Sequence, residues 1–281
     1  MRQFDATITI NHDVSPSWKI LGFEWPKDLP PPAPGQFFTF RPKALEPGDS
    51  GLLRRPLAFA NFADTLAYAL YQIRGSGTKA LAAMTEGESI DIIGALGNSF
   101  PLPQTGEKPF LLGGGIGIGP LLFFHSRLQE LRLDRAQSPC LILGFRSSGF
   151  VPDFRAALAL PADNARLGLQ KLSDSLSMAA IATDDGTRGY AGTVMDALGA
   201  EIAGAASGGR HYYGCGPGPM LAALDAFAGA EGSIAHVSVE QWMACGVGAC
   251  HGCVLPASKG GYLRACADGP VFASGDIMWK E

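Results

Sequence analysis

Hydrophobic positions fall along the chain in two rhythms. From residue 1 to about 103 they come in short runs of β type, FDATITINHDV and LAYALYQI among them, broken by connectors such as WPKDLPPPAPGQ. Runs punctuated in this way by proline and glycine predict antiparallel strands in a barrel or sandwich. From about 107 a longer unit repeats, an apolar strand followed by a glycine turn and an apolar helix. It is seen in PFLLGG with GPLLFFHSRLQELRL, in CLILGF with FVPDFRAALAL and LGLQKL, and in HYYGC with GPMLAALDAFAG. Strands that alternate with helices predict a parallel α/β sheet. From about 237 the chain returns to glycine- and cysteine-rich loops.

The expected organisation is therefore multidomain β plus α/β. Residues 1–103 form an antiparallel β-barrel, 104–236 a parallel α/β domain and 237–281 a small loop-rich domain. The connector PLPQTGEKP, residues 101 to 109, marks the first boundary.

At 281 residues the chain has room for two domains and an appendage. Its 47% hydrophobic and 17% charged content is that of a globular protein. A net charge of -4 offers no basic face for nucleic acid. The start, MRQFDATITI, lacks the apolar region of an export signal, and glycines interrupt the longest apolar stretch, FLLGGGIGIGPLLFF. A cytoplasmic chain off the membrane is expected.

That compartment is reducing, which changes how the six cysteines are read. Cys140 and Cys215 stand alone in apolar runs. The other four cluster as Cys245-x4-Cys250-x2-Cys253 and, twelve residues further on, Cys266. The first spacing is that of the plant-type ferredoxin loop, whose thiolates hold two irons and two sulfides. The gap to Cys266 is much shorter than in ferredoxins. A structural zinc site is the alternative, although zinc sites usually bring two C-x2-C pairs and one is present here. His251, inside the loop, reads as structural.

Two further turns point to nucleotides. Gly115-x-Gly117-x-x-Pro120 follows an apolar strand and precedes a helix, where a pyrophosphate can lie against free N–H groups at the helix N-terminus. A plain glycine-rich strand-to-helix turn has the same appearance. YYGCGPGPM, residues 212 to 220, is a second such turn in the same sheet. In the first region, Arg54 and Arg55 precede a proline-fixed turn, and Gly75-Ser76-Gly77-Thr78 follows LAYALYQI. An arginine with a Gly-Thr nest suits a diphosphate, and two surface arginines would look the same.

Taken in order, RRPLAF, GSGT, IGALGNSF, GGGIGIGPLL, YYGCGPGPML, MACGVGACHGCV and CADGPVF resemble the electron-transfer subunits of NAD-dependent (type B) dihydroorotate dehydrogenase, within the ferredoxin-reductase superfamily. The resemblance spans essentially the whole chain. It implies an FAD-binding barrel, an NAD-binding α/β domain and a 2Fe-2S domain. Arg55, Pro56, Leu57 and Ala58 match the flavin motif, Leu70, Tyr71 and Gln72 the strand beside the flavin, and Gly77 and Thr78 the turn at its phosphates. Gly115, Gly117, Pro120, Gly216 and Pro217 match the nicotinamide-nucleotide site, with Cys215 beside the nicotinamide as the candidate for aligning hydride transfer. Cys245, Cys250, Cys253 and Cys266 match the cluster ligands.

Ala58 departs from the family, which usually has serine there, so the flavin potential is expected to differ. The resemblance further implies a partner subunit that oxidises dihydroorotate at its own FMN in pyrimidine biosynthesis, in a heterotetramer, with electrons passing through the cluster and FAD to NAD. The three regions take up the 281 residues, so chemistry on the organic substrate is expected on the other chain. Related subunits of ferredoxin-NAD(P) reductases, sulfide dehydrogenases and sulfhydrogenases share the pattern, although they often carry aspartate at the position of Cys245. A zinc-stabilised nucleotide-binding module is the reading from another class. The choice between NAD and NADP is open on the sequence, with Arg146 equally a generic surface residue or a nucleotide contact.

Overall fold

The computed structural model describes residues 1–16, 18–41, 53–131, 137–159, 163–203 and 209–279. The first part contains β1 (Arg2–Ser15), β2 (Trp18–Glu24), β3 (Phe37–Phe40), β4 (Arg55–Ala58), β5 (Asn61–Ala63), β6 (Leu66–Gln72), α1 (Ser76–Ala82) and β7 (Ser89–Leu96). The strands form one antiparallel sheet in the order β4-β3-β7-β1-β2-β6-β5. Along β7 every second side chain is buried, Ile90, Ile92 and Leu96 among them, which is the mark of a strand with one face on a core. β4 also touches β6, so the sheet curls towards a barrel. Its interior is aromatic. Phe38 lies 5.0 Å from Phe23 and 5.1 Å from Phe59 between ring centroids, and Trp25 meets Phe59 edge-on at 5.5 Å.

The second part contains β8 (Lys108–Gly114), α2 (Ile118–Glu130), β9 (Cys140–Phe145), α3 (Arg155–Leu158), α4 (Asp163–Ser177), β10 (Ala180–Thr183), β11 (Tyr190–Ala191), α5 (Val194–Ala203), β12 (Arg210–Cys215), α6 (Gly218–Glu231) and β13 (Ile234–Ser238). The six strands are parallel, in the order β11-β10-β9-β8-β12-β13. The central β8 and β12 are buried almost throughout, because helices cover both faces of a parallel sheet. One expected element moves. FVPDFRAALAL yields only the single turn α3, and LGLQKL lies within α4. Ala165, Leu169 and Leu172 recur at helical spacing, and all three are buried.

The last part adds the hairpin β14 (Val254–Pro256) and β15 (Tyr262–Arg264), then β16 (Val271–Ala273). β13 runs past residue 236 to Ser238, and β16 pairs antiparallel with its outer edge. The cysteine region is thereby stitched into the α/β sheet. It is tied to the barrel as well, since Asn98 donates from Nδ2 to the Val271 carbonyl at 2.8 Å and accepts the Val271 N–H at 2.9 Å. At Gly246 a β-carbon would come within 2.8 Å of Thr39 on β3, so glycine permits the cysteine loop to lie on the barrel.

Candidate functional site

The two sheets and the segment leading into the cysteines border an open cavity of about 650 Å3. Arg55, Pro56, Leu57 and Ala58 line it from β4, and Leu70, Tyr71 and Gln72 from β6. Gly117 and Pro120 reach it from the turn between β8 and α2, Cys215 from the end of β12, and Trp242 and Met243 from the approach to the cysteines. Residues more than 180 positions apart therefore share one space.

The adjacent arginines of the first region have separate duties. Arg54 is buried, and its guanidinium bonds both carboxylate oxygens of Asp91 at 2.8 and 3.0 Å together with the hydroxyl and carbonyl of Thr39. Asp91 is held below the usual carboxylate range, first by its hydrogen bonds from Arg54. Arg55 faces the cavity. Gly77 leaves it room, since a β-carbon there would come within 2.9 Å of the Arg55 side chain. Gly77 and Thr78 are not themselves in the cavity wall. The Thr78 hydroxyl accepts the N–H groups of Arg74 and Gly75 at 2.9 and 3.2 Å and caps α1.

Glycine is dictated by contact at the β8–α2 turn. A β-carbon at Gly117 would lie 2.3 Å from the Cys215 carbonyl oxygen, so the turn and the end of β12 touch backbone to backbone. Gly115 adopts φ +54° and faces open space. It lines a second cleft of about 510 Å3 with Gly114, Pro217, Met220, Arg146 and Asp184, and Gln72 and Arg74 belong to both spaces. Gly216 packs against Gly114 beside this turn. Burial pushes the Cys215 thiol up to about 12, with the negative charge of Glu240 adding to the effect, so Cys215 stays a neutral thiol.

The cysteines fall into two pairs. The Cys245 sulfur accepts the Val247 and Cys250 N–H groups at 3.5 and 3.4 Å, and the Cys253 and Cys266 sulfurs lie 3.2 Å apart. Gly248 N–H reaches Cys266 at 3.1 Å, and Gly252 N–H reaches Cys250 at 3.4 Å. Gly246 and Gly248 provide the left-handed turns that aim these donors, and His251 takes φ +56° between Cys250 and Gly252. Burial raises Cys245, but the N–H groups of Val247 and Cys250 outweigh it and bring the thiol down to about 6. Burial and the nearby Cys253 raise Cys266 to about 12.

Among the described residues no group of three His, Cys, Asp or Glu side chains converges to hold a single metal ion. Four cysteine sulfurs with backbone N–H donors aimed at them fit an iron–sulfur centre, which these residues would hold as thiolates.

Sequence patterns missed Ser238, Glu240, Trp242, Met243 and Arg74, all in the cavity wall. Ser238 ends β13, and sites of parallel sheets lie beyond the carboxyl ends of strands, so the sheet rule was the available signal. Trp242 is 90% exposed, immediately upstream of the cysteine motif.

Comparison with known proteins agrees with this layout. Residues 240–278 match the family model for the iron-sulfur cluster binding domain of dihydroorotate dehydrogenase B. The chain is 31% identical over 277 residues to the dihydroorotate dehydrogenase B (NAD(+)) electron transfer subunit of Caldanaerobacter subterraneus subsp. tengcongensis, covering 98% of both chains. It is 36% identical over 251 residues to that of Geobacillus thermodenitrificans, covering 87% of this chain and 86% of the relative. Among solved structures, a chain of an NADH-dependent reduced ferredoxin-NADP oxidoreductase superposes with a TM-score of 0.76 at 23% identity, over 98% of this chain and 90% of that one. Phthalate dioxygenase reductase superposes at 0.62 with 16% identity, over 97% and 95%.

Proposed function

The chain belongs to the family of electron transfer subunits of dihydroorotate dehydrogenase B, and from that premise we propose how its three parts divide the work. It is an oxidoreductase subunit with an iron–sulfur binding region, and it acts with a catalytic partner. When bound, FAD exchanges two electrons with nicotinamide and one at a time with an iron–sulfur centre, which is the chemistry these cofactors supply.

In this reading the 650 Å3 cavity holds the flavin ring. Leu57 and Leu70 give it apolar walls, Arg55 meets the diphosphate, and Ala58 leaves the wall without the hydroxyl that serine would place there. Gly117 and Pro120 bring the nicotinamide nucleotide to the same space, and the neutral Cys215 thiol sets the depth at which it rests. Cys245, Cys250, Cys253 and Cys266 would hold the iron–sulfur centre, and the N–H groups on their sulfurs would stabilise its negative charge.

One observation carries the proposal. Trp242 and Met243 line the cavity and lead directly into Cys245, which supports a short path between a flavin there and a cluster on the cysteines. The partner proposed at the far side is an FMN-containing subunit that oxidises dihydroorotate, in a heterotetramer of two chains of each kind. No helix among the described residues is long and apolar enough to cross a membrane.

Anaerobic purification of the untagged native complex tests this. The expected preparation contains FAD, iron and sulfide, is bleached by NADH, and retains a subunit active on dihydroorotate. A colourless protein with zinc, or a co-purifying subunit inert towards dihydroorotate, would overturn it.

A further inference from the structure

The 510 Å3 cleft runs from Gly115 across the ends of β9 and β10 to Thr193 and Val194 at the start of α5. We propose that Asp184, at the end of β10, is the residue by which this cleft selects NAD over NADP. The inference rests on the nicotinamide-nucleotide reading above and assigns its specificity to one side chain.

Strand order sets the direction of the ligand. With the pyrophosphate at Gly115, just after β8, the cavity bearing Cys215 and Pro120 lies towards β12, and the nicotinamide goes there. The adenosine half then extends the other way, over β9 and β10, which is where the second cleft opens. A carboxylate at that end accepts hydrogen bonds from the ribose hydroxyls, and it repels a phosphate on the 2′ oxygen.

Neighbouring polar groups are already engaged. Asp185 accepts the N–H and hydroxyl of Thr187 at 3.1 and 2.6 Å, and the Thr187 oxygen accepts the Ser148 N–H at 2.8 Å. Thr193 caps α5 in mutual bonds with Asp196, and the Thr183 hydroxyl is paired with the backbone of Arg188. The Asp184 backbone is fixed, its N–H donating to the Phe145 carbonyl at 3.0 Å. Its carboxylate makes no hydrogen bond or ion pair with any described residue, and it faces the cleft exposed.

Arg146 shares the cleft, and alone it would favour the extra phosphate. With Arg74 at the junction of the two spaces, however, the arginines match the two charges of the pyrophosphate that both nucleotides carry. Asp184 is the group whose interaction changes sign between ribose and ribose phosphate.

Calorimetric titration of the flavin- and cluster-loaded protein with NAD+ and NADP+, and with 5′-AMP and 2′,5′-ADP for the adenosine half, tests the assignment. The wild type is expected to prefer the nucleotide without the 2′-phosphate in each pair. Asp184→Asn should shrink that preference by about tenfold or more, equivalent to roughly 1.4 kcal/mol, while Arg146→Ala weakens both members of each pair alike. An unchanged ratio in Asp184→Asn, a selective loss of NADP+ and 2′,5′-ADP in Arg146→Ala, or a wild type that prefers NADP+ would overturn the inference alone. A wild type that binds neither dinucleotide would overturn the nucleotide reading itself and this inference with it.

Discussion

His125 shows how one buried side chain ties stability to pH. It is 1% exposed, with Nδ1 3.1 Å from the Ser175 hydroxyl, and burial lowers its pKa to about 4. The unfolded chain takes up this proton near pH 6.5. Between that pH and 4 the unfolded state binds more protons, so stability is lost as pH falls through the window. Chemical denaturation at pH 7 and pH 5 should show His125 contributing about 2 kcal/mol of that loss. His125→Gln should flatten the decline, and an equally steep decline in the variant would refute the assignment. His236, lowered to about 4 by burial and by His211, adds to the same slope.

Between β8 and α2 the element geometry depends on Gly117. Its would-be β-carbon faces the Cys215 carbonyl and the Gly216 nitrogen, main-chain atoms that cannot swing aside as a side chain would. Gly117→Ala is expected to displace this turn and weaken NADH binding by about tenfold or more, while the visible spectrum of the cluster is retained. Unchanged NADH affinity in a binding titration would show that the turn tolerates the methyl group. This turn was legible in the sequence as a glycine-bearing junction between an apolar strand and an apolar helix, although a plain structural turn reads the same way. The cysteine spacing was legible because it encodes local geometry. Ser238 and Asp184 were not. Each is an ordinary polar residue whose meaning comes from ending a strand of a sheet that must first be assembled. Helix α4 was obscured because its apolar positions are interleaved with polar ones, so that LGLQKL stands out without the period that joins Ala165 to Leu172.

The whole molecule presents its cysteine loop at the surface with apolar neighbours. Cys250 is exposed, Trp242 is 90% exposed and Val247 39%. Bare aromatic surface beside a redox centre fits a docking face, because large exposed apolar groups mark interaction sites. Trp242→Glu should therefore lose the partner subunit in gel filtration while iron stays bound. Retention of the partner at wild-type strength would place the interface elsewhere. The pairing of β16 with β13 bears on how far this architecture can be taken apart. Excising the cysteine region to make a plain flavin reductase would strip β13 of its neighbour and leave an open row of N–H and C=O groups, a template for joining one molecule to the next. The iron–sulfur segment thus doubles as the seal on the sheet, and a shortened descendant of this chain would need a new edge as well as a new electron acceptor.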